Sequence, residues 1–171
     1  SDLFHKQIPK HFIDSVFETM EKADWHNFQV LTKRSSLMRD YVNDRYGRSK
    51  CPQHIWLGVS VEDQAAKIRI KHLQQTKANI RFLSAEPLIA DLGRLSLAGL
   101  HWVIVGGESG PKSRPMEKAW VEKIQRQCNS KGVAFFFKQW GAWNEHGVPG
   151  SKKKNGRLLN NRTWDELPLH L

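Results

Sequence analysis

The sequence predicts an α/β fold in which a parallel sheet of βα units forms a partial, incomplete TIM-type barrel. Five apolar segments alternate with helical segments, and they start about 22 to 32 residues apart, the length of a βα unit. Polar residues follow every apolar segment, whereas a doubly wound sheet concentrates them at one switch point. An open doubly wound sheet suits the spacing too, but the polar segment ends favour the barrel.

The apolar segments are rich in β-branched and aromatic residues, as buried parallel strands are. Trp102 to Val105 is the clearest of them, because four apolar residues lead directly into a two-glycine turn. The predicted strands span residues 28–32, 55–60, 80–84, 102–106 and 133–138.

Helical periodicity fills the segments between the strands. Pro9 can open the first helix, Ser35 or Ser36 can cap the second, and Asp63 can cap the third. Gly132 is placed to end the last one. The apolar stripes are Phe12, Ile13, Val16, Phe17 and Met20; Leu37, Met38, Tyr41, Val42 and Tyr46; Ala66, Ile70 and Leu73; and Trp120, Val121, Ile124 and Cys128.

A chain of 171 residues has the length of one domain. Residues 1–141 are predicted to form the partial βα barrel, and residues 142–171 a basic C-terminal appendage of the same domain, because the periodicity stops there and three lysines follow one another. The first residues are typical of a loop that leaves a strand, so we expect the chain to be a piece of a longer protein.

The charge balance is strongly basic, with 27 Lys and Arg against 17 Asp and Glu and a net charge of +10. Such a surface favours nucleic acid or anionic ligands, although a solvated basic surface explains it equally well. No apolar run is long enough to span a membrane. The two cysteines and the scattered histidines show no metal-ligand spacing, so we expect no metal site. The scarcity of cysteine suits a reducing compartment, so we expect a cytoplasmic location.

The polar strand ends predict a shared ligand site, because parallel strands bring their carboxyl ends to one edge. Gly106 and Gly107 allow close backbone approach, and Glu108 can accept hydrogen bonds, although a tight turn with a solvated acid is an equal alternative. Glu86 is either a site residue or half of a salt bridge. Trp140 could stack on a base or belong to the core.

Seven motifs in order carry a resemblance to a known family. The chain resembles the phage-associated family named for gene products thirty-seven and sixty-eight, a domain of unknown function similar to radical-SAM enzymes. The motifs are Ser1-Asp-Leu-Phe-His5, Phe28-Gln-Val-Leu-Thr-Lys-Arg34, Trp56-Leu-Gly-Val-Ser-Val-Glu62, Leu83-Ser-Ala-Glu-Pro-Leu88, Trp102-Val-Ile-Val-Gly-Gly-Glu-Ser-Gly-Pro111, Phe136-Phe-Lys-Gln-Trp-Gly141 and Arg162-Thr-Trp-Asp-Glu-Leu-Pro168.

The resemblance implies S-adenosylmethionine and a [4Fe–4S] cluster in a full-length parent, whose upstream cysteines would hold the cluster. Cys51 and Cys128 cannot replace them, so we expect no cofactor in this chain. The chain would be the C-terminal body of a radical-SAM-like protein of unknown substrate, inactive alone; the alternative is a non-catalytic basic module that binds nucleic acid or a partner protein. The implied cofactor-binding residues are Ser60, Glu62, Glu86, Gly106, Gly107 and Glu108, and the implied substrate-binding residues are Lys33, Arg34, Lys138, Gln139 and Trp140.

Overall fold

The computed structural model describes residues 2–168 and has an α/β fold with a five-stranded, all-parallel sheet flanked by helices. All five predicted strands are present, with bounds within one residue of those expected. Their order in the sheet is the order in the chain, and every neighbouring pair is parallel. The strands are β1 (Phe28–Thr32), β2 (Ile55–Ser60), β3 (Arg81–Ala85), β4 (Trp102–Gly106) and β5 (Ala134–Gln139).

The four predicted helices are also present. They are α1 (Lys10–Lys22), α2 (Ser35–Tyr46), α3 (Ile68–Gln74) and α4 (Lys118–Lys131); the 3₁₀ turn Ala65–Lys67 precedes α3, and a short α5 (Lys152–Asn155) lies in the C-terminal part.

The predicted helix ends are confirmed for α1 and α4; Asp63 caps the 3₁₀ turn that leads into α3 rather than α3 itself, and the predicted serine cap of α2 is wrong. Pro9 directly precedes α1, the Asp63 carboxylate accepts a hydrogen bond from the backbone N–H of Ala66, and Gly132 ends α4 in the left-handed conformation. Ser35 does not cap α2, because its hydroxyl instead contacts Nδ1 of His72 at 2.9 Å.

The main helices cover one face of the sheet. The buried residues of α1 to α4 belong to the same apolar cluster as alternate residues of the strands, such as Leu57, Leu83 and Val103. The predicted helix stripes hold in general, but Phe12 and Leu37 are about half exposed and do not belong to that cluster.

The opposite face of the sheet has a core of its own. Trp56, Phe82 and Trp102 are buried there, and Phe136 packs against them. The ring centroids of Trp56 and Trp102 lie 5.9 Å apart and those of Trp102 and Phe136 lie 5.8 Å apart, both in edge-to-face geometry. The sheet therefore separates a helix-covered core from an aromatic second face.

The C-terminal tail, which is residues 142–168 of the described chain, covers the outer edge of β5. The backbone N–H of Phe137 donates to the carbonyl of Trp164 at 2.9 Å, and the N–H of Phe135 donates to the carboxylate of Glu166 at 2.8 Å. Leu159 of the tail is completely buried in the helix-covered core. The tail thus satisfies edge hydrogen bonds that would otherwise be open to another strand. Across residues 2–168, each helix is too short or too polar to cross a membrane.

Candidate functional site

The residues predicted to bind ligands lie at or just after the carboxyl ends of the parallel strands. We use "carboxyl-edge site" for the polar residues at and just after these ends, and they fall into three groups, each organised around one glutamate. The residues are Lys33, Ser60, Glu62, Glu86, Gly106, Gly107, Glu108, Lys138 and Gln139.

Glu62 follows β2 and joins two cations from different elements. Its side chain pairs with Lys33, which follows β1, and with Arg69 Nη1 of α3 at 2.9 Å. Arg69 also donates to the backbone carbonyl of Ser60 at 2.7 Å. Burial alone would raise the pKa of Glu62, but the Lys33 hydrogen bond and the charges of Lys33 and Arg69 outweigh it and lower the pKa. Glu62 is therefore an ionised, nearly buried group.

Glu86 follows β3 and binds two residues at the end of β5. Lys138 Nζ lies 3.0 Å from Glu86 Oε2, and Gln139 Nε2 donates to Glu86 Oε1 at 2.8 Å. The contact passes over β4 at Gly106, where a Cβ atom would lie 3.1 Å from both Gln139 and Glu86. A glycine at this position therefore leaves room for the bridge between β3 and β5.

The two-glycine turn after β4 packs directly on the end of β5. The N–H of Gly107 donates to the carbonyl of Gln139 at 2.9 Å, and a Cβ atom on Gly107 would lie 1.9 Å from the carbonyl oxygen of Trp140. A glycine is required here because the backbone that follows β5 comes this close. The close neighbour is the protein's own backbone, so this turn serves the fold whether or not it also contacts a ligand.

Glu108 is held by a single arginine. Arg114 donates from Nη2 and Nε to the two carboxylate oxygens at 2.8 and 2.9 Å, and its backbone N–H donates at 2.8 Å. These hydrogen bonds lower the pKa of Glu108 to about 2. The carboxylate is ionised at all ordinary pH values. It pairs with Arg114 and shares no partner with Glu62 or Glu86 among the described contacts.

Two buried serines lie side by side near the carboxyl ends of β2 and β3. Ser60 of β2 is the register partner of Ser84 of β3, and both are almost completely buried. Strand alternation places both on the aromatic second face, in line with Trp56 and Phe82. Ser84 was not among the predicted site residues, although it ends an apolar strand in the same way as Ser60.

Two predicted substrate-binding residues, Arg34 and Trp140, also follow strand ends, but their side chains make contacts outside the carboxyl-edge site. Arg34 pairs with Asp2 at 2.8 Å and thereby holds the amino-terminal segment against β1. Trp140 is buried, its indole N–H donates to the carbonyl of Leu158 at 2.7 Å, and its ring packs on Phe137. These contacts favour the structural interpretation of both residues over a substrate-binding role.

Sequence reasoning missed the partners of the glutamates. Arg69 lies on a helix and Arg114 in a proline-bounded loop. Neither directly follows a strand, and a polar residue after a strand is the pattern that predicts the site residues. Arg69 lies seven residues after Glu62 and six after the Asp63 cap, which is close to two helical turns, and this spacing was the available hint.

The cysteines do not form a metal centre. Cys51 and Cys128 are free thiols, both fully buried, and burial raises the pKa of Cys51 to about 11 and of Cys128 to about 12. Within residues 2–168 there is no cluster of three or more His, Cys, Asp or Glu side chains that could hold a metal ion. The described residues therefore do not suit an iron–sulfur cluster.

Comparison with known proteins identifies a family. No curated protein and no solved structure matches the chain. The model of a family described as "Protein of unknown function (DUF5131)" matches residues 1–168. The match extends over nearly the whole sequence, including every strand and the carboxyl-edge site, and the chain therefore belongs to the DUF5131 family of proteins of unknown function.

Proposed function

We propose that this chain is the C-terminal body of a radical-SAM-like, phage-associated protein, and that its sheet is part of an incomplete TIM-type barrel. The observation that carries the proposal is the line of ionised and hydrogen-bonding side chains at the carboxyl ends of five consecutive parallel strands. In βα barrels this end is where ligands bind and reactions occur.

The distribution of helices supports the barrel over a doubly wound sheet. A doubly wound sheet has helices on both faces and a reversal of strand order at its switch point. Here the strand order follows the chain without reversal, and the main helices pack into one cluster on one face. The aromatic second face then corresponds to the filled interior of a barrel wall.

The carboxyl-edge site has groups suited to S-adenosylmethionine, which is the cofactor that the resemblance implies. Glu62 and Glu86 can accept hydrogen bonds from an ammonium group or ribose hydroxyls, and Lys33 and Lys138 can pair with a carboxylate. In a parent whose iron–sulfur cluster donates an electron, this cofactor would supply a hydrogen-abstracting radical, and the residues named here would bind and orient it.

The iron–sulfur cluster does not fit this chain, so no step is assigned to it. Radical-SAM chemistry requires closely spaced thiolates on the cluster. Cys51 and Cys128 are buried with raised pKa values and do not form such a set. We therefore propose that the chain is inactive alone and that a full-length parent provides the cluster ligands.

Substrate contacts are proposed for Lys33, Lys138 and Gln139. Both lysine side chains are about half exposed, and Gln139 lies beside Glu86 at the same edge. Arg34 and Trp140 are not part of this proposal, because their side chains already hold the fold.

Equilibrium dialysis with labelled S-adenosylmethionine tests the cofactor site. We expect the chain to bind the cofactor weakly and Glu86→Gln to weaken binding about tenfold, the loss of a charge-assisted hydrogen bond. Asp24→Asn is the matched control, because it removes the same charge from an exposed residue before β1. Equal affinity for Glu86→Gln and the control would contradict the proposed site.

Anaerobic reconstitution tests the assignment of the cluster. This chain should take up no iron and sulfide and should form no 5′-deoxyadenosine, whereas a parent with upstream cysteines should do both. Cluster uptake by the short chain would show that its ligands were misjudged. A parent that has those cysteines and takes up no iron would favour the alternative, a non-catalytic basic module that binds nucleic acid or a partner protein, for which the net charge of +10 is the specific observation.

A further inference from the structure

A cleft with a basic lining lies between the end of β5 and the C-terminal tail. Its volume is about 550 Å³, and it adjoins the carboxyl-edge site because Lys138 and Gln139 belong to both. We call it the basic cleft; its lining residues are Lys138, Gln139, Lys152, Lys153, Gly156 and Arg157. Four of these six residues are cations, and none of the described lining residues is acidic.

Arg157 is held in place within this cleft. Its guanidinium carbon lies 5.2 Å from the ring centroid of Phe136, and Nη2 pairs with Asp165. The Nε atom is buried and has no hydrogen-bond partner among the described residues. A guanidinium held by a ring and an ion pair keeps its positive charge at the wall of the cleft, where it can contribute to the binding of an anion such as phosphate.

The basic cleft has more cationic side chains than acidic partners. Glu86 pairs with Lys138 and Asp165 pairs with Arg157, whereas Lys152 and Lys153 are exposed and form no salt bridge with a described residue. Two of the four cations are therefore without a counter-charge within the described residues. A phosphate monoester carries nearly two negative charges at neutral pH, which matches this excess.

We propose that the basic cleft binds a phosphate group of the substrate, so that the substrate is a nucleotide or a nucleic-acid strand. This inference rests on the proposed function in one respect, namely that substrate lies at the carboxyl-edge site. A phosphate between Arg157 and Lys153 would lie in the same cleft as Lys138, which also belongs to the carboxyl-edge site. Scattered surface lysines would give charge but no fixed arginine beside the strand end.

Binding to the whole chain at low ionic strength tests the proposal with three probes: inorganic phosphate, a fluorescent nucleoside monophosphate and a labelled single-stranded oligonucleotide. The variants are Lys152→Gln with Lys153→Gln, and Arg157→Gln alone. The control for the double variant, Lys22→Gln with Lys131→Gln, removes two charges from exposed residues at the ends of α1 and α4, and Lys22→Gln alone is the control for Arg157→Gln. Thermal unfolding of each variant establishes that it is folded.

We expect each cleft variant to weaken nucleoside monophosphate binding roughly tenfold and to reduce its salt dependence, while the control changes it less than about twofold. Binding of the monophosphate indicates a nucleotide substrate, and binding of the oligonucleotide alone indicates a strand. Equal weakening by cleft and control variants, or binding of none of the probes, would overturn the proposal. Because dialysis of S-adenosylmethionine is a separate measurement on the same samples, failure of the proposed function is distinguished from failure of the phosphate site.

Discussion

Gln139 donates a hydrogen bond from Nε2 to Oε1 of Glu86 at 2.8 Å, and this contact joins the ends of two strands that are not neighbours in the sheet. β4 lies between them, and Gly106 at its end carries no side chain that would interrupt the bridge. The same glutamate also pairs with Lys138. The carboxyl-edge site is therefore fixed by contacts across three strands, and the glycines at the end of β4 determine how close those strands come.

The two adjacent glycines should respond differently to alanine. A Cβ atom on Gly107 would overlap the backbone carbonyl of Trp140 at 1.9 Å, so Gly107→Ala should destabilise the protein by about 3 kcal/mol. On Gly106 the Cβ atom would meet side-chain atoms at 3.1 Å, and Gly106→Ala should cost only about 1 kcal/mol. Urea unfolding followed by tryptophan fluorescence measures both, and similar losses would contradict the backbone packing of this turn.

The aromatic second face depends on a matched pair of residues. A Cβ atom on Gly58 would lie 2.4 Å from ring carbons of Phe82, so Gly58→Ala should cost about 2 kcal/mol through overpacking. Phe82→Leu removes the ring and should itself cost about 2 kcal/mol by leaving a cavity. In the double variant the methyl group occupies part of that space.

A double-mutant cycle in urea therefore measures this contact. The free energy of unfolding that the double variant loses should be smaller than the sum of the two single losses by at least about 1 kcal/mol. Additive losses would show that Gly58 and Phe82 do not compete for the same volume.

The strands and helices could be predicted because their signals are local. Trp102 to Val105 is apolar without interruption, as a strand buried on both sides must be, and Asp63 and Gly132 are typical helix-end residues. These features depend on a few neighbouring residues. The bounds of the strands were therefore correct to within one residue.

The partners within the site could not be predicted in the same way. Glu62 meets Arg69 only because α3 packs back across β2, and Glu86 meets Gln139 only because the strands between them have a particular register. Ser35 is a favourable cap by residue type, but its contact with His72 of a neighbouring helix replaces that role. Long-range packing decides such contacts, and a single sequence does not contain it.

The thiols should be unreactive in the folded protein. Cys51 and Cys128 are fully buried, and burial raises the pKa of Cys51 to about 11 and of Cys128 to about 12, so almost no thiolate forms at pH 8. Ellman's reagent should label neither cysteine in buffer and both in guanidinium chloride. Rapid labelling of the folded chain would show that one of these side chains reaches solvent.

Glu21 should make stability depend on pH. Arg45 donates to both of its carboxylate oxygens at 2.8 Å and Tyr46 donates at 2.6 Å, and these contacts, led by the Arg45 hydrogen bonds, lower the pKa of Glu21. The unfolded chain then binds the proton more readily. The stabilisation is therefore complete above the unfolded pKa of about 4.3 and is lost as pH falls through the lower folded pKa.

The Glu21→Gln variant isolates this contribution. It should be less stable than the parent by about 2 kcal/mol at pH 7, and the difference should shrink as the pH is lowered below 4. Glu18→Gln, on the exposed side of the same helix, should change stability by less than about 0.5 kcal/mol at every pH. A difference for Glu21→Gln that is independent of pH would contradict the assignment to the ionised carboxylate.

The edge of β5 offers a test at single-residue resolution. Glu166 accepts the backbone N–H of Phe135 at 2.8 Å, two residues before the N–H of Phe137 meets the carbonyl of Trp164. Glu166→Ala removes the first acceptor and leaves the second, which is a backbone group. Hydrogen exchange measured by NMR should show faster exchange of the Phe135 amide and an unchanged rate for Phe137. Equal acceleration at both amides would mean that the tail detaches as a unit, and Glu117→Ala, at the exposed start of α4, should alter neither.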